Sequence, residues 1–412
     1  MRRDQPDGAA PPHLRPGGRL PAVVRRAQPG LCRGRRAPGL RRHEQTGGES
    51  VDLKEIAPAV RVTIDSLRRF CEEGFRRAGL DPEGARIVTE VQLEASLRGQ
   101  PTHNVGSIPG YARAIAHRKI NPQPQIRVER ESPIHARVDG DNGPGQWVSM
   151  VATRLAIAKA RESGIGVVGV RRSNHFGAAG HYAWVMATED LIGLCTTNGG
   201  LVLAPWGGVT PTFGNNPLGV GIPSGRYFPI VLDIAMSVVA HGKIALAIAE
   251  GKPIPLGWLM DKRGRLTTNP EDFKDGLGVP IAEHKGYGLT LVMETLAGIL
   301  TGAGFCWDHG RERIYNPEEE NDLGHFFLAL NPTLFLPLEE FKARVDRMIE
   351  QVKSGEKAEG VQEIYLPGEI EMRQRAENLR AGTVPLLPST YAALRKFKEE
   401  FGIASDLVVS DA

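Results

Sequence analysis

Apolar residues recur at helical spacing early in the chain. Leu67, Phe70, Cys71, Gly74, Phe75 and Ala78 share one face, and Gly79 ends the run. Asp81 and Pro82 supply an N-cap and a first-turn proline for a second helix. Its apolar side carries Ala85, Val88, Val91 and Ala95, and Gly99 stops it. The stretch 100–111, with Pro101, Gly106, Pro109 and Gly110, predicts a loop leading into a short helix over 112–118. The turn cluster 139–145 launches a helix over 147–162. The period then changes: the β-branched run 164–170 reads as a buried strand. A turn at 172–181 and a helix over 182–188 follow it. Further strands are expected at 192–196, 229–233 and 324–330, and helices at 237–250, 284–301, 338–353, 370–381 and 389–401. Residues 252–281 read as irregular. Alternating strands and helices behind a helical start indicate a mixed α/β or α+β fold. No period of 20–50 residues marks a solenoid.

Composition changes the picture at one end. The first 50 residues hold eleven Arg, no Lys and four acids, a net +7, so the rest of a +3 chain carries −4. Pro and Gly are frequent there and no period survives, which predicts a disordered tail. Scarce Ser, absent Lys and the lack of an amphipathic face argue against a transit peptide or a nucleic-acid arm. The expectation is that this stretch is translated from upstream of the true start, with the native chain beginning near Val51. No apolar run approaches the roughly 18 residues of a membrane helix, so neither membrane nor nucleic acid is expected as a partner. Cys32, Cys71, Cys195 and Cys306 are far apart with no C-x-x-C, which suits a reducing, cytoplasmic setting. The eleven His show no ligand spacing, so no metal is expected.

Candidate chemistry concentrates on Ser173-Asn174-His175, the turn after the β-branched strand. Sheet ends are where α/β proteins place their sites, and imidazole exchanges protons near neutral pH. The dinucleotide fingerprint is missing: Gly219, Gly221 and Gly225 do not open a helix after a strand, and Pro223 interrupts them. P-loop and G-x-S-x-G patterns are also absent. Lys285 opens a predicted helix beside Gly286 and Gly288, and free N–H groups plus an ammonium suit a pyrophosphate. The competing reading of Lys285 is a solvated side chain.

Several motifs occur together in one order: Leu97-Arg98-Gly99 leading to Thr102-His103, Ser173 to Gly177, Ala204-Pro205-Trp206-Gly207, Gly214 to Leu218, Leu232-Asp233, Lys285 to Gly288, Leu323-Gly324-His325 and Leu366-Pro367-Gly368. On these motifs, over about residues 60–401, the chain resembles the malate/L-lactate dehydrogenase family of NAD(P)-dependent oxidoreductases. That group is unrelated to the Rossmann-type enzymes and includes ureidoglycolate and sulfolactate dehydrogenases, 2,3-diketogulonate reductase and an imino-acid reductase. The resemblance implies a mostly antiparallel sheet wrapped by helices, with no Rossmann motif, plus a helical N-terminal domain. Residues 60–130 would form that domain, carrying His103 and joined by helices within 370–402. Residues 131–369 would bind cofactor and substrate. It also implies a homodimer, NAD or NADP as cofactor, and a small 2-hydroxy/2-oxo acid as substrate.

By resemblance, His175 is the acid/base and His103 a second residue of the substrate pocket. The alternative for His103 is a loop histidine bonded to backbone. Tyr111, Asn174 and Asn216 are expected near substrate, although Asn174 equally suits a helix cap. Asp233, His284, Lys285, Gly286, Gly368 and Glu369 are expected near cofactor, Asp233 on a ribose hydroxyl pair or else as an N-cap. One departure matters. The family pattern S-H-G-V-x-R reads Thr102-His103-Asn104-Val105-Gly106-Ser107 here, so Ser107 replaces the arginine that would grip a carboxylate. Serine makes no bidentate ion pair, which points to another carboxylate contact or a different substrate end group. The alternatives are reduction of a cyclic imino acid of the piperideine-2-carboxylate type, or a dinucleotide-binding paralogue without turnover.

Overall fold

The computed structural model describes residues 59–309 and 320–410; the expected N-terminal tail lies outside them. In chain order the strands and helices are β1 (Val60–Thr63), α1 (Ile64–Arg77), α2 (Pro82–Leu97), α3 (Ile108–Ala116), β2 (Arg127–Glu131), β3 (His135–Asp139), α4 (Gly145–Ser163), β4 (Ile165–Ser173), α5 (Ala179–Thr188), β5 (Ile192–Thr197), β6 (Leu218–Ile222), β7 (Ile230–Ile234) and α6 (His241–Glu250). Then come β8 (Leu259–Met260), β9 (Leu266–Thr267), β10 (Leu277–Gly278), α7 (His284–Glu294), β11 (Leu323–Leu330), α8 (Leu338–Lys353), α9 (Glu369–Ala381), β12 (Thr383–Leu386) and α10 (Pro388–Phe401).

A seven-stranded sheet runs β2-β3-β4-β11-β5-β6-β7. Only β3 and β4 pair in parallel; the other neighbours are antiparallel, as the fold expectation has it. Helices α4 and α5 cover one core with Val168, Val170, Tyr182, Met186 and Phe327, all fully buried. A second core joins α1, α2 and α3 to the C-terminal β12 and α10, and Phe70 meets Phe397 edge-on at 6.1 Å. Each such buried aromatic stabilises the fold by about 1.5–3 kcal/mol. The antiparallel pair β1–β12 binds the two ends of the described chain together.

The sequence reading and the structure differ in several places: α5 starts at Ala179 and α6 at His241, and β2, β3 and β6 were not expected. Helix α3 starts at Ile108, because Pro109 sits in its first turn, where a missing N–H costs nothing. The helix over 284–301 is α-helical only to Glu294 and then widens into a π turn, Thr295–Ile299. The stretch 252–281 holds the three-stranded sheet β10-β8-β9. Of the glycines rejected as a fingerprint, Gly219 and Gly221 lie on β6 and press against the Ala179 and Ala183 carbonyls of α5.

Candidate active site

The turn carrying His175 is held by three separate devices. The first is Asn174, whose Nδ2 donates to the Asn142 carbonyl (3.0 Å), Asn142 Oδ1 (2.9 Å) and the Gly143 carbonyl (3.0 Å). Its Oδ1 accepts from Asn321 Nδ2 at 3.0 Å. Asn174 is therefore a buried clamp; its polar groups are spent on protein, and α5 has Ala178 at its N-cap with no side-chain cap bond. The second device is Gly145: a Cβ there would lie 2.0 Å from the Asn174 carbonyl oxygen and 2.5 Å from that of His175. The third is His325 on the central strand β11, which bridges Ser173 Oγ (2.8 Å) and Thr197 Oγ1 (2.7 Å) and stacks on Phe176 at 4.9 Å. Burial pushes His325 down to about 3, so it is a neutral strut. The sequence reading quoted His325 in a motif and gave it no role.

His175 Nδ1 lies 2.5 Å from the hydroxyl of buried Tyr111, and its ring stacks on His103 with centroids 5.3 Å apart. Burial, with the neighbouring His103 and His325, holds His175 well below the ordinary imidazole range. Burial alone brings His103 down to about 4. Thr102 Oγ1 meets His103 Nδ1 at 2.8 Å, so this histidine bonds a side chain as well as sitting in a loop. With its amide nitrogen toward that loop, Gln92 of α2 donates to the His103 and Asn104 carbonyls and accepts from Gln146 of α4. Ser107 stands at the start of α3, its Oγ 3.4 Å from the Thr102 carbonyl. Two imidazoles and a phenol thus converge where the helical layer meets the sheet end.

Asp233 and Gly368 come together elsewhere, in a cavity of about 260 Å³ beside α5, lined also by Arg98, Gln100 and Glu371. Burial raises the Asp233 carboxyl, against the N–H of Gly180, the charge of Arg98 and the amide of Gln100, 3.5 Å away. Arg98 Nε and Gln100 Oε1 are buried without partners, the condition a polar ligand would relieve. These donors and acceptors fit part of a dinucleotide. The volume is below the roughly 300–1,000 Å³ of small-molecule sites, so it takes a fragment. Glu369 does not join this cavity. Lys353 (2.8 and 2.9 Å), Arg373 (2.5 Å) and the Leu366 N–H (3.0 Å) take up its carboxylate, and the α9 acid lining the cavity is Glu371.

The remaining expected residues make their described contacts with other parts of the chain. Asn216 is fully buried just before β6 and donates to Glu294 Oε2 at 2.6 Å, tying this lead to α7, while its Oδ1 has no partner. His284 and Lys285 are exposed at the start of α7, with the Trp206 ring edge-on to His284 at 6.4 Å. Gly286 is required by close packing: a Cβ would lie 1.7 Å from the Ile281 carbonyl oxygen. Ala282 and Glu283, just before, both have positive φ, so the entry to this helix is strained.

The family model for malate/L-lactate dehydrogenase matches residues 62–395. The chain belongs to that family. It is 37% identical over 343 residues to L-sulfolactate dehydrogenase of Methanocaldococcus jannaschii, covering 83% of this chain and 95% of the relative. The solved structure of that enzyme superposes with a TM-score of 0.77 at 36% identity, over 83% of this chain and 98% of that one. Malate dehydrogenase of Pyrococcus abyssi is 36% identical over 84% of this chain and 96% of its own length. The (2R)-3-sulfolactate dehydrogenase (NADP(+)) of Chromohalobacter salexigens is 34% identical over 77% of this chain and 93% of its own length. The protein is thus an enzyme of a dehydrogenase family, and the helix-wrapped, mostly antiparallel sheet expected from the motifs is its fold.

Proposed function

We propose that the protein is an NAD(P)-dependent oxidoreductase that moves a hydride between a nicotinamide and a small 2-hydroxy/2-oxo acid, with His175 exchanging the proton. The observation that carries this reading is the half-buried imidazole of His175 with Nδ1 tied to Tyr111. When Nδ1–H donates to the phenol oxygen, Nε2 bears the lone pair that accepts a substrate hydroxyl proton. Burial keeps the ring neutral at pH 7, the state a base needs. His103, stacked beside it and also neutral, adds no charge next to it. A bound nicotinamide dinucleotide supplies the hydride acceptor or donor. Asp233, Gly368 and Arg98 would hold part of it, and Lys285 at the α7 N-terminus would meet its phosphates.

Ser107 in place of an arginine favours substrates whose recognition does not depend on a bidentate carboxylate grip. A homodimer belongs to this reading: Leu289, Val292, Ile299 and Leu300 are 44–62% exposed on α7 and its π turn, an apolar face suited to a second copy. A cytoplasmic location does too, since Cys71 and Cys195 are buried free thiols, and no described helix is long and apolar enough to cross a membrane. The test is a panel of malate, lactate, sulfolactate, ureidoglycolate and piperideine-2-carboxylate, with both cofactors. Turnover of a 2-hydroxy acid supports the reading. Turnover of the imine alone replaces it with imino-acid reduction, and dinucleotide binding with no turnover replaces it with a binding paralogue.

A further inference from the structure

We propose that Gln92 is a positioning residue that sets the His103 loop against the His175 turn, and that Gln146 carries this tie from the helical layer to the sheet. The inference rests on the oxidoreductase reading above, in which His175 exchanges the proton, and adds what fixes the two imidazoles relative to each other. Gln92 lies on α2 and is fully buried; Gln146, the second residue of α4, is 1% exposed. With its nitrogen toward the loop, the Gln92 amide donates to the carbonyls of His103 (2.5 Å) and Asn104 (3.0 Å), and its oxygen accepts from Gln146 Nε2 at 2.9 Å. Gly145, next to Gln146, packs so closely on the His175 turn that a Cβ would lie 2.5 Å from the His175 carbonyl oxygen. The path therefore begins at the backbone of one histidine and ends at the backbone of the other.

The residue type matters. Two successive loop carbonyls need two donors, and a primary amide supplies both hydrogens from one nitrogen while keeping an acceptor for Gln146. The loop has other ties: Ser96 Oγ of α2 accepts from the Val105 N–H at 3.1 Å, and Asn104 Nδ2 donates to the Gln100 carbonyl at 2.8 Å. Those bonds hold the loop to α2 and to itself, and neither reaches α4. Gly177, at φ +86°, brings the far side of the His175 turn to the same amide, where a Cβ would stand 3.6 Å from Gln92. The arrangement carries a cost, since Gln146 Oε1 is buried without a partner. Two apolar side chains of the same shape would remove that cost, so this pair favours geometry over stability. The rings it holds are stacked, with centroids 5.3 Å apart and planes 15° from parallel. A misplacement of about 1 Å at a reacting centre slows chemistry by up to about a hundredfold.

The test follows hydride transfer in a single turnover by loss of nicotinamide fluorescence, using the 2-oxo form of the panel acid that the wild type accepts. Dinucleotide affinity comes from the same fluorescence, and unfolding midpoints from circular dichroism. Gln92→Met should slow transfer about tenfold. Dinucleotide affinity should stay within about twofold of wild type, and the midpoint within about 4 °C. Gln92→Met combined with Gln146→Met should be no slower than Gln92→Met alone, because both act through one bond. Wild-type transfer in folded Gln92→Met overturns the inference. So does a fall of rate, affinity and midpoint together, which would make Gln92 a packing residue, or an additive loss in the double variant, which would make the two glutamines independent. If Gln92→Met does not fold, Gln146→Met decides: slower transfer at unchanged affinity supports the inference, and an unchanged rate overturns it. A wild type without turnover on any acid of the panel overturns the oxidoreductase reading on which the inference rests.

Discussion

A histidine beside other histidines behaves differently from one on a surface, and the consequences can be measured residue by residue. His103, His181 and His325 are driven down by burial to about 4, 3 and 3. An unfolded chain takes up these protons near pH 6.5, whereas the folded protein refuses them. The stability they contribute is complete above that pH and is lost as pH falls toward 4. Urea midpoints should therefore drop between pH 7.5 and 5, where carboxylates remain ionised, and the slope should flatten in His325→Gln. A midpoint that is level or rises on acidification would contradict this. At Ser107 the expected gain is catalytic: Ser107→Arg should raise kcat/KM for a 2-oxo acid with a second carboxylate by about tenfold. No change in a folded variant would remove position 107 from carboxylate recognition. The motif resemblance singled out His175, His103 and Tyr111, and the structure brings their rings together. The sequence could not show that Asn174 is spent on Asn142, Gly143 and Asn321, because those partners are about 30 and 150 residues away.

At the scale of elements, close backbone approach decides where the chemistry sits. Gly145 opens α4 directly against the Asn174 and His175 carbonyls, so Gly145→Ala must push the turn aside. Its cost should be about 1–3 kcal/mol of stability. Turnover should fall by more than NADH affinity does, because the displaced group is the His175 turn. Steady-state kinetics beside equilibrium unfolding checks this; intact turnover with lost stability would make Gly145 a packing residue alone. Legibility followed pattern strength here. Helix α8 was read to the residue, since its apolar positions alternate cleanly with charge. Strand β2, Arg-Val-Glu-Arg-Glu, was not read: every position is exposed on a sheet edge, so no buried face leaves a period to detect. Strands β1 and β12 are defined by pairing across more than 300 residues. Glu371 was missed for Glu369 by two residues, because only the placed helix shows which first-turn acid Lys353 and Arg373 consume.

For the whole molecule, the proposed homodimer rests on the exposed apolar face of α7, the element that also opens with the exposed His284 and Lys285. A dimer should appear by sedimentation at micromolar concentration, and Val292→Lys should shift it toward monomer; a monomeric wild type would contradict the assembly. The motif order from Leu97 to Gly368 made the architecture legible at this scale, whereas the cavity beside Asp233 depends on three helix ends that no linear pattern announces. The account as a whole turns on proton exchange by the imidazole after β4. The most direct measurement is turnover of the accepted acid by His175→Ala, taken together with NADH binding by fluorescence. The account predicts near-normal binding with turnover reduced about a hundredfold or more. Turnover equal to wild type in the folded variant would contradict it.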